Sequence, residues 1–127
     1  MQFLQRKAGE KMENDIMHKI GNTPLIKLKK ISKTGIYAKL EYLNPSGSLK
    51  DRIADFMIHE AKKRGELKPG MEIIEATSGN TGISLAMLST ALGYKFTAIM
   101  PENVTKERMQ MITAYGGKVI LTPAKKE

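Results

Sequence analysis

Two short segments hold the residue types that could do chemistry: Asn44-Pro-Ser-Gly-Ser-Leu-Lys-Asp-Arg52 and Thr77-Ser-Gly-Asn-Thr-Gly82. The first places one lysine, Lys50, in the opening turn of an expected helix. The helix dipole disfavours a cation there by only about 0.3–1 kcal/mol. Desolvation shifts a lysine further and must do most of any activation. A deprotonated lysine is what forms a Schiff base with a carbonyl compound. The second segment offers the side chains of Thr77, Ser78, Asn80 and Thr81 at another helix start. One polar side chain suffices to cap a helix, so this cluster exceeds that need. Gly79 and Gly82 read as positions where a missing side chain lets an anion reach the backbone. A carboxylate or phosphate binds naturally at such a place. An amine facing an anion cradle suits Schiff-base chemistry on an amino acid.

Both segments lie where a strand hands over to a helix. Ile36, Ala38, Leu40 and Tyr42 alternate on one face, as in a strand over residues 36–42. Residues 49–63 read as a helix with Leu49, Ile53, Phe56, Met57 and Ala61 on one stripe. Ser48 is its expected N-cap and Asp51 the weak partner of a capping box, with Gly65 ending the helix. A strand over 72–76 follows, then a helix over 82–92 that is apolar nearly all round and hence buried. A strand over 95–100, a helix from Thr105 to Tyr115 and a strand over 119–122 complete the pattern. The alternation predicts right-handed crossovers and a parallel sheet. The expected fold class is α/β, a three-layer αβα domain over residues 36–127 with a four-stranded parallel sheet. Ligands of such sheets bind off the carboxyl ends of the strands, where both segments fall. Residues 1–35 form a separate N-terminal segment. It holds a helical turn from Asp15 to Ile20, a turn at Gly21-Asn-Thr-Pro24 and a strand over 25–28. Its first dozen residues are expected to be mobile.

With 127 residues, 41% hydrophobic and 27% charged, there is room for one domain with a real core. No apolar run approaches the length of a membrane span. The first twelve residues lack the apolar core of a secretory signal and include Glu10, which a mitochondrial presequence would avoid. A cytoplasmic protein without membrane contact is expected. The absence of cysteine excludes disulfides, thiolate metal sites and cysteine nucleophiles. The net charge of +8 comes from scattered lysines without interleaved aromatics, so no nucleic-acid partner is expected. His18 and His59 stand apart, and no metal site is expected. There is no G-x-G-x-x-G after a strand, and Gly47-Ser-Leu-Lys50 lacks the Walker spacing.

Together these residues resemble the cysteine synthase family, the fold-type II pyridoxal-phosphate enzymes that include O-acetylserine sulfhydrylase and cystathionine β-synthase. The resemblance covers Gly21-Asn-Thr-Pro-Leu25, Ala38-Lys-Leu-Glu41, Asn44-Pro-Ser46, Ser48-Leu-Lys-Asp-Arg52, Thr77 to Gly82 and Met100-Pro-Glu102. Met100-Pro-Glu followed by Thr105 and Arg108 fits the sulfhydrylase and cystathionine branch. Ala76 departs from it, since a proline is common there. The resemblance implies pyridoxal 5'-phosphate as cofactor, held by Lys50, which is also the catalytic base, with Asn80 bonded to the cofactor ring oxygen. It implies that Thr77, Ser78, Gly79, Asn80 and Thr81 bind the carboxylate of an amino-acid substrate. The implied reaction is β-replacement on O-acetylserine by sulfide through an aminoacrylate. Cystathionine β-synthase-type replacement, or a non-catalytic split or interaction fragment, is the alternative.

Family members are longer, and their phosphate-binding glycine loop and the serine facing the pyridine nitrogen come from the later half. The resemblance therefore implies the smaller domain of such an enzyme, with residues 1–35 packing on the larger one. The isolated chain is expected to have little activity. A homo-oligomer or a complementing C-terminal half is the expected partner, because Leu25, Ile26, Leu28 and Ile31 would otherwise stand uncovered.

Overall fold

A computed structural model describes residues 16–31 and 34–124. The expectations for the first dozen residues and for Asp15 lie outside the described residues. A 3-10 turn at Ile16–Lys19 leads into strand β1, Leu25–Lys27, and then β2, Tyr37–Lys39. Helix α1 spans Lys50–Lys63, β3 Glu72–Ala76, α2 Asn80–Ala91, β4 Lys95–Pro101, α3 Lys106–Ala114 and β5 Lys118–Thr122.

The parallel sheet has the order β3-β4-β5. It therefore holds three strands among the described residues, not four. The strand expected at residues 36–42 forms, but it is shorter and pairs antiparallel with β1, Ile26 opposite Ala38. Leu40 extends this pairing by donating its N–H to Pro24 O at 2.9 Å. Alternation of apolar residues identifies a strand but says nothing of its partner.

Register puts Ile73 beside Phe96 and Ala98 beside Val119, so these side chains share one face. Strand order follows chain order, and right-handed crossovers then place α2 and α3 on that same face. There Phe96, Ala98 and Met100 join Leu85, Ala86, Leu88 and Ile112 in the core. Each large apolar side chain buried in this way contributes roughly 1.5–3 kcal/mol. As its all-apolar pattern predicts, α2 is buried from Gly82 to Ser89. The other sheet face carries Ile74 and Ile120 exposed.

Helix α1 packs on α2, but not through the stripe its sequence suggests. Leu49, Ile53, Phe56 and Met57 are exposed, whereas Asp51, Ala54 and Ile58 are buried. Those three recur at i, i+3 and i+7, the spacing of one helix face. The small Ala54 lets the two helices approach, and the bulkier stripe is left outward.

Candidate functional site

The carboxyl ends of β3 and β4 lie at one edge of the sheet, and α2 and α3 start there. Lys50 is the first residue of α1 and is half-buried. Among the described residues nothing pairs with its ammonium nitrogen. Ser48 is not the formal cap; Leu49 occupies that position, and Ser48 Oγ accepts the Lys50 N–H at 3.1 Å.

The expected capping box does not form either. Instead the Asp51 carboxylate, fully buried, accepts the Ser46 N–H at 2.7 Å, the Ser46 hydroxyl, and the Ser84 hydroxyl at 2.5 Å. Ser84 sits in α2, just beyond the Thr77–Gly82 segment in sequence. The start of α1 and the start of α2 are thereby tied together, bringing Lys50 and the polar loop to the same end of the molecule.

Arg52 secures the other side. Its Nε donates to Glu41 Oε2 at 2.8 Å and its Nη2 to Glu41 Oε1 at 3.0 Å, a bidentate pair. Thr23 donates to the same carboxylate at 2.5 Å, and Asn44 Nδ2 at 3.0 Å. Asn44 Oδ1 in turn accepts the Gly21 N–H at 2.9 Å. Gly21 has φ +84°, and a side chain there would stand 2.9 Å from Arg52. The Arg52 guanidinium, followed by the Thr23 hydroxyl, holds the Glu41 carboxyl down at about 2 against an ordinary 4.5. In Lys50-Asp51-Arg52, the two residues after the lysine are committed to structure, and the lysine has no partner among the described residues.

The Thr77–Gly82 loop divides its labour. Thr77 Oγ1 accepts the N–H of Gly82 at 3.2 Å and of Gly79 at 3.4 Å, so Thr77 serves as the helix-start acceptor. Gly82 is there for packing, not for anion approach: a Cβ would meet Thr77 Cγ2 at 2.5 Å and Ile112 Cδ1 at 3.2 Å. The side chains of Ser78, Asn80 and Thr81 take no partner among the described residues. Ser78 and Asn80 are exposed, Gly79 and Thr81 half-buried. Arg108, from α3, donates to Ser78 O at 2.8 Å, so a cation lies against the loop. What remains is a helix N-terminus with unclaimed donors, suited to a carboxylate or phosphate. A groove of about 260 Å3 lies elsewhere, at the far half of α1 against the edge of β3, lined by Met57, Ile58, Leu67 and Ile73. It is far along α1 from Lys50 and offers no comparable donors.

Sequence reasoning quoted Ser46, Glu41 and Arg108 within its motifs but gave them no role, and it missed Ser84 altogether. Ser84 had a signal: a hydroxyl inside an otherwise apolar helix needs a partner. Glu41 and Arg52 are eleven positions apart, and no local periodicity joins them.

Residues 16–127 match the family model described as pyridoxal-phosphate dependent enzyme. The chain is 54% identical over 107 residues to a probable cysteine synthase of Bacillus subtilis, covering 82% of this chain and 34% of that protein. It is 52% identical over 118 residues to cystathionine beta-synthase of Apis mellifera, covering 89% of this chain and 23% of the relative. A hydrogen sulfide-producing enzyme of Fusobacterium nucleatum superposes with a TM-score of 0.85 at 48% identity, over 90% of this chain and 38% of that structure. The chain thus spans about a third or less of the length of the curated relatives named here.

Proposed function

The chain belongs to the pyridoxal-phosphate dependent enzyme family, and on that premise we propose that it carries the amine and carboxylate-binding part of a cysteine synthase active site. The activity would be β-replacement on O-acetylserine by sulfide. The observation that carries the reading is the unpaired Lys50 amine, tied through Asp51 and Ser84 to a helix start with unclaimed donors. This donor set fits the cofactor: a primary amine for its aldehyde, an uncommitted amide on Asn80 for a ring oxygen, and anion-binding N–H groups. When bound, the cofactor supplies an electron sink for the substrate Cα.

The chain's own residues do the rest. Lys50 Nζ takes the Cα proton as acetate leaves Cβ and returns a proton to Cα once sulfide has added at Cβ, a positioned acid–base role. Ser78, Thr81 and the neighbouring backbone N–H groups grip the substrate carboxylate, Gly79 leaves the approach open, and Thr77 holds the loop's shape. Arg108 beside Ser78 favours the anion further. Residues 36–127 act as the smaller domain of such an enzyme, and residues 1–35 pack on its larger one. Further polypeptide, in a homo-oligomer or as the remainder of a longer enzyme, completes the site. The proposed role is cytoplasmic; no described helix is long and apolar enough to cross a membrane.

A titration of the purified chain with pyridoxal 5'-phosphate, followed by visible absorbance, tests this reading. A saturable band lost in Lys50→Ala is expected. A band unchanged in that variant contradicts it.

A further inference from the structure

We infer that Asp51 is the positioning residue for Lys50, acting through a buried Ser46–Asp51–Ser84 joint. The inference rests on the reading of Lys50 given above. Asp51 is completely buried, and no cation is among its partners in the described residues. A buried carboxylate is tolerated only when its oxygens are satisfied. Here three donors reach it: the backbone and hydroxyl of Ser46 on Oδ2 and Oδ1, and the hydroxyl of Ser84 on Oδ1. The two serine oxygens stand 3.0 Å apart because both hydroxyls serve the same acceptor atom. The second residue of α1 also lies at the positive end of the helix dipole, which favours an anion.

These donors come from two separate segments, the loop before α1 and the second turn of α2. An apolar residue at this position could fill the volume but could not hold both. Successive helix residues point about 100° apart. With Asp51 turned into the contact with α2, Lys50 faces a neighbouring direction, and its backbone cannot shift unless the joint opens. The joint thus fixes where the amine stands relative to the carboxylate-binding loop, which leads directly into α2.

The alternative is a general contribution to folding, and two readouts separate them. The first is amide hydrogen exchange at Ser46 and Lys50, with Leu88 and Ala98 reporting global opening. The second is the amount of pyridoxal 5'-phosphate fixed on Lys50 by borohydride reduction, mapped by mass spectrometry. Asp51→Asn keeps the shape but turns one acceptor into a donor. Ile58→Ala, two turns along α1, serves as the destabilised reference.

We expect Ser46 exchange about tenfold or more faster in Asp51→Asn than in Ile58→Ala at equal global protection. Fixation on Lys50 should fall by a similar factor in the first variant only. Ser84→Ala should move both readouts the same way by less, and it stands in if Asp51→Asn does not fold. Ser46→Thr, which keeps the hydroxyl, should preserve both. Equal loss of protection at all sites in Asp51→Asn and Ile58→Ala would overturn the inference, as would reduced fixation without faster exchange at Ser46. If the unmodified chain fixes no cofactor on Lys50, the functional reading fails, and the exchange comparison still decides whether Asp51 holds the turn.

Discussion

At the scale of residues, three consecutive side chains are handled in three different ways. Arg52 is clasped to Glu41, Asp51 is buried against two serines, and Lys50, just before them, is left without a partner among the described residues. The clasp has a pH signature. Glu41 is lowered from 4.5 to about 2 in the fold, so its contribution is fully present above about pH 4.5 and is lost as pH falls toward 2. Glu41→Gln should therefore lower the urea midpoint at neutral pH, and the gap to the parent should close on acidification. A gap that stays constant down to pH 2 would contradict this assignment. The polar loop makes a second residue-scale contrast. Thr77→Val removes the acceptor for two N–H groups and should destabilise the fold by about 1 kcal/mol. Asn80→Ala removes an uncommitted side chain, should change stability by less than about 0.5 kcal/mol, and should still weaken cofactor retention. Denaturant melts with and without pyridoxal 5'-phosphate measure both.

At the scale of elements, the handover from β3 to α2 depends on one absent side chain. Gly82→Ala places a methyl 2.5 Å from Thr77 Cγ2, and overpacking of this kind costs about 1–3 kcal/mol. Adding Thr77→Ser deletes the colliding methyl and keeps the hydroxyl, so the double variant should recover part of the lost melting temperature. Equal melting of single and double variants would show that Ile112, 3.2 Å away, is the true obstacle. The crossover pattern from β3 to β5 was legible because each element carries its own period and stop signal, as at Gly93 with φ +76°. Two things were not. The partner of residues 36–42 is set by a tertiary choice, and the buried face of α1 is set by Ala54 and Asp51, not by its largest side chains. Lys50 and the Thr77–Gly82 loop could be read from residue type and position. The ties that hold them together join residues 5 to 33 positions apart and lie beyond local pattern.

At the scale of the whole molecule, apolar surface is the dominant feature outside the site. Leu25, Ile31 and Phe56 are 63%, 71% and 68% exposed, and Ile74 and Ile120 stand on the open sheet face. Patches of this kind mark contact surfaces, in keeping with a chain that spans about a third of the length of its bacterial relative. Purified alone, it should self-associate as concentration rises, and light scattering should report masses above the monomer. Ile74→Lys with Ile120→Lys should shift the distribution toward monomer without lowering the melting temperature. A strictly monomeric parent chain would contradict this use of the sheet face. The central claim, however, concerns one amine. Borohydride reduction after exposure to substoichiometric pyridoxal 5'-phosphate, with every lysine peptide mapped, tests it most directly. The account predicts that the cofactor is fixed on Lys50 in preference to all other lysines. An even spread over the surface lysines, or a preferred site elsewhere, would contradict it.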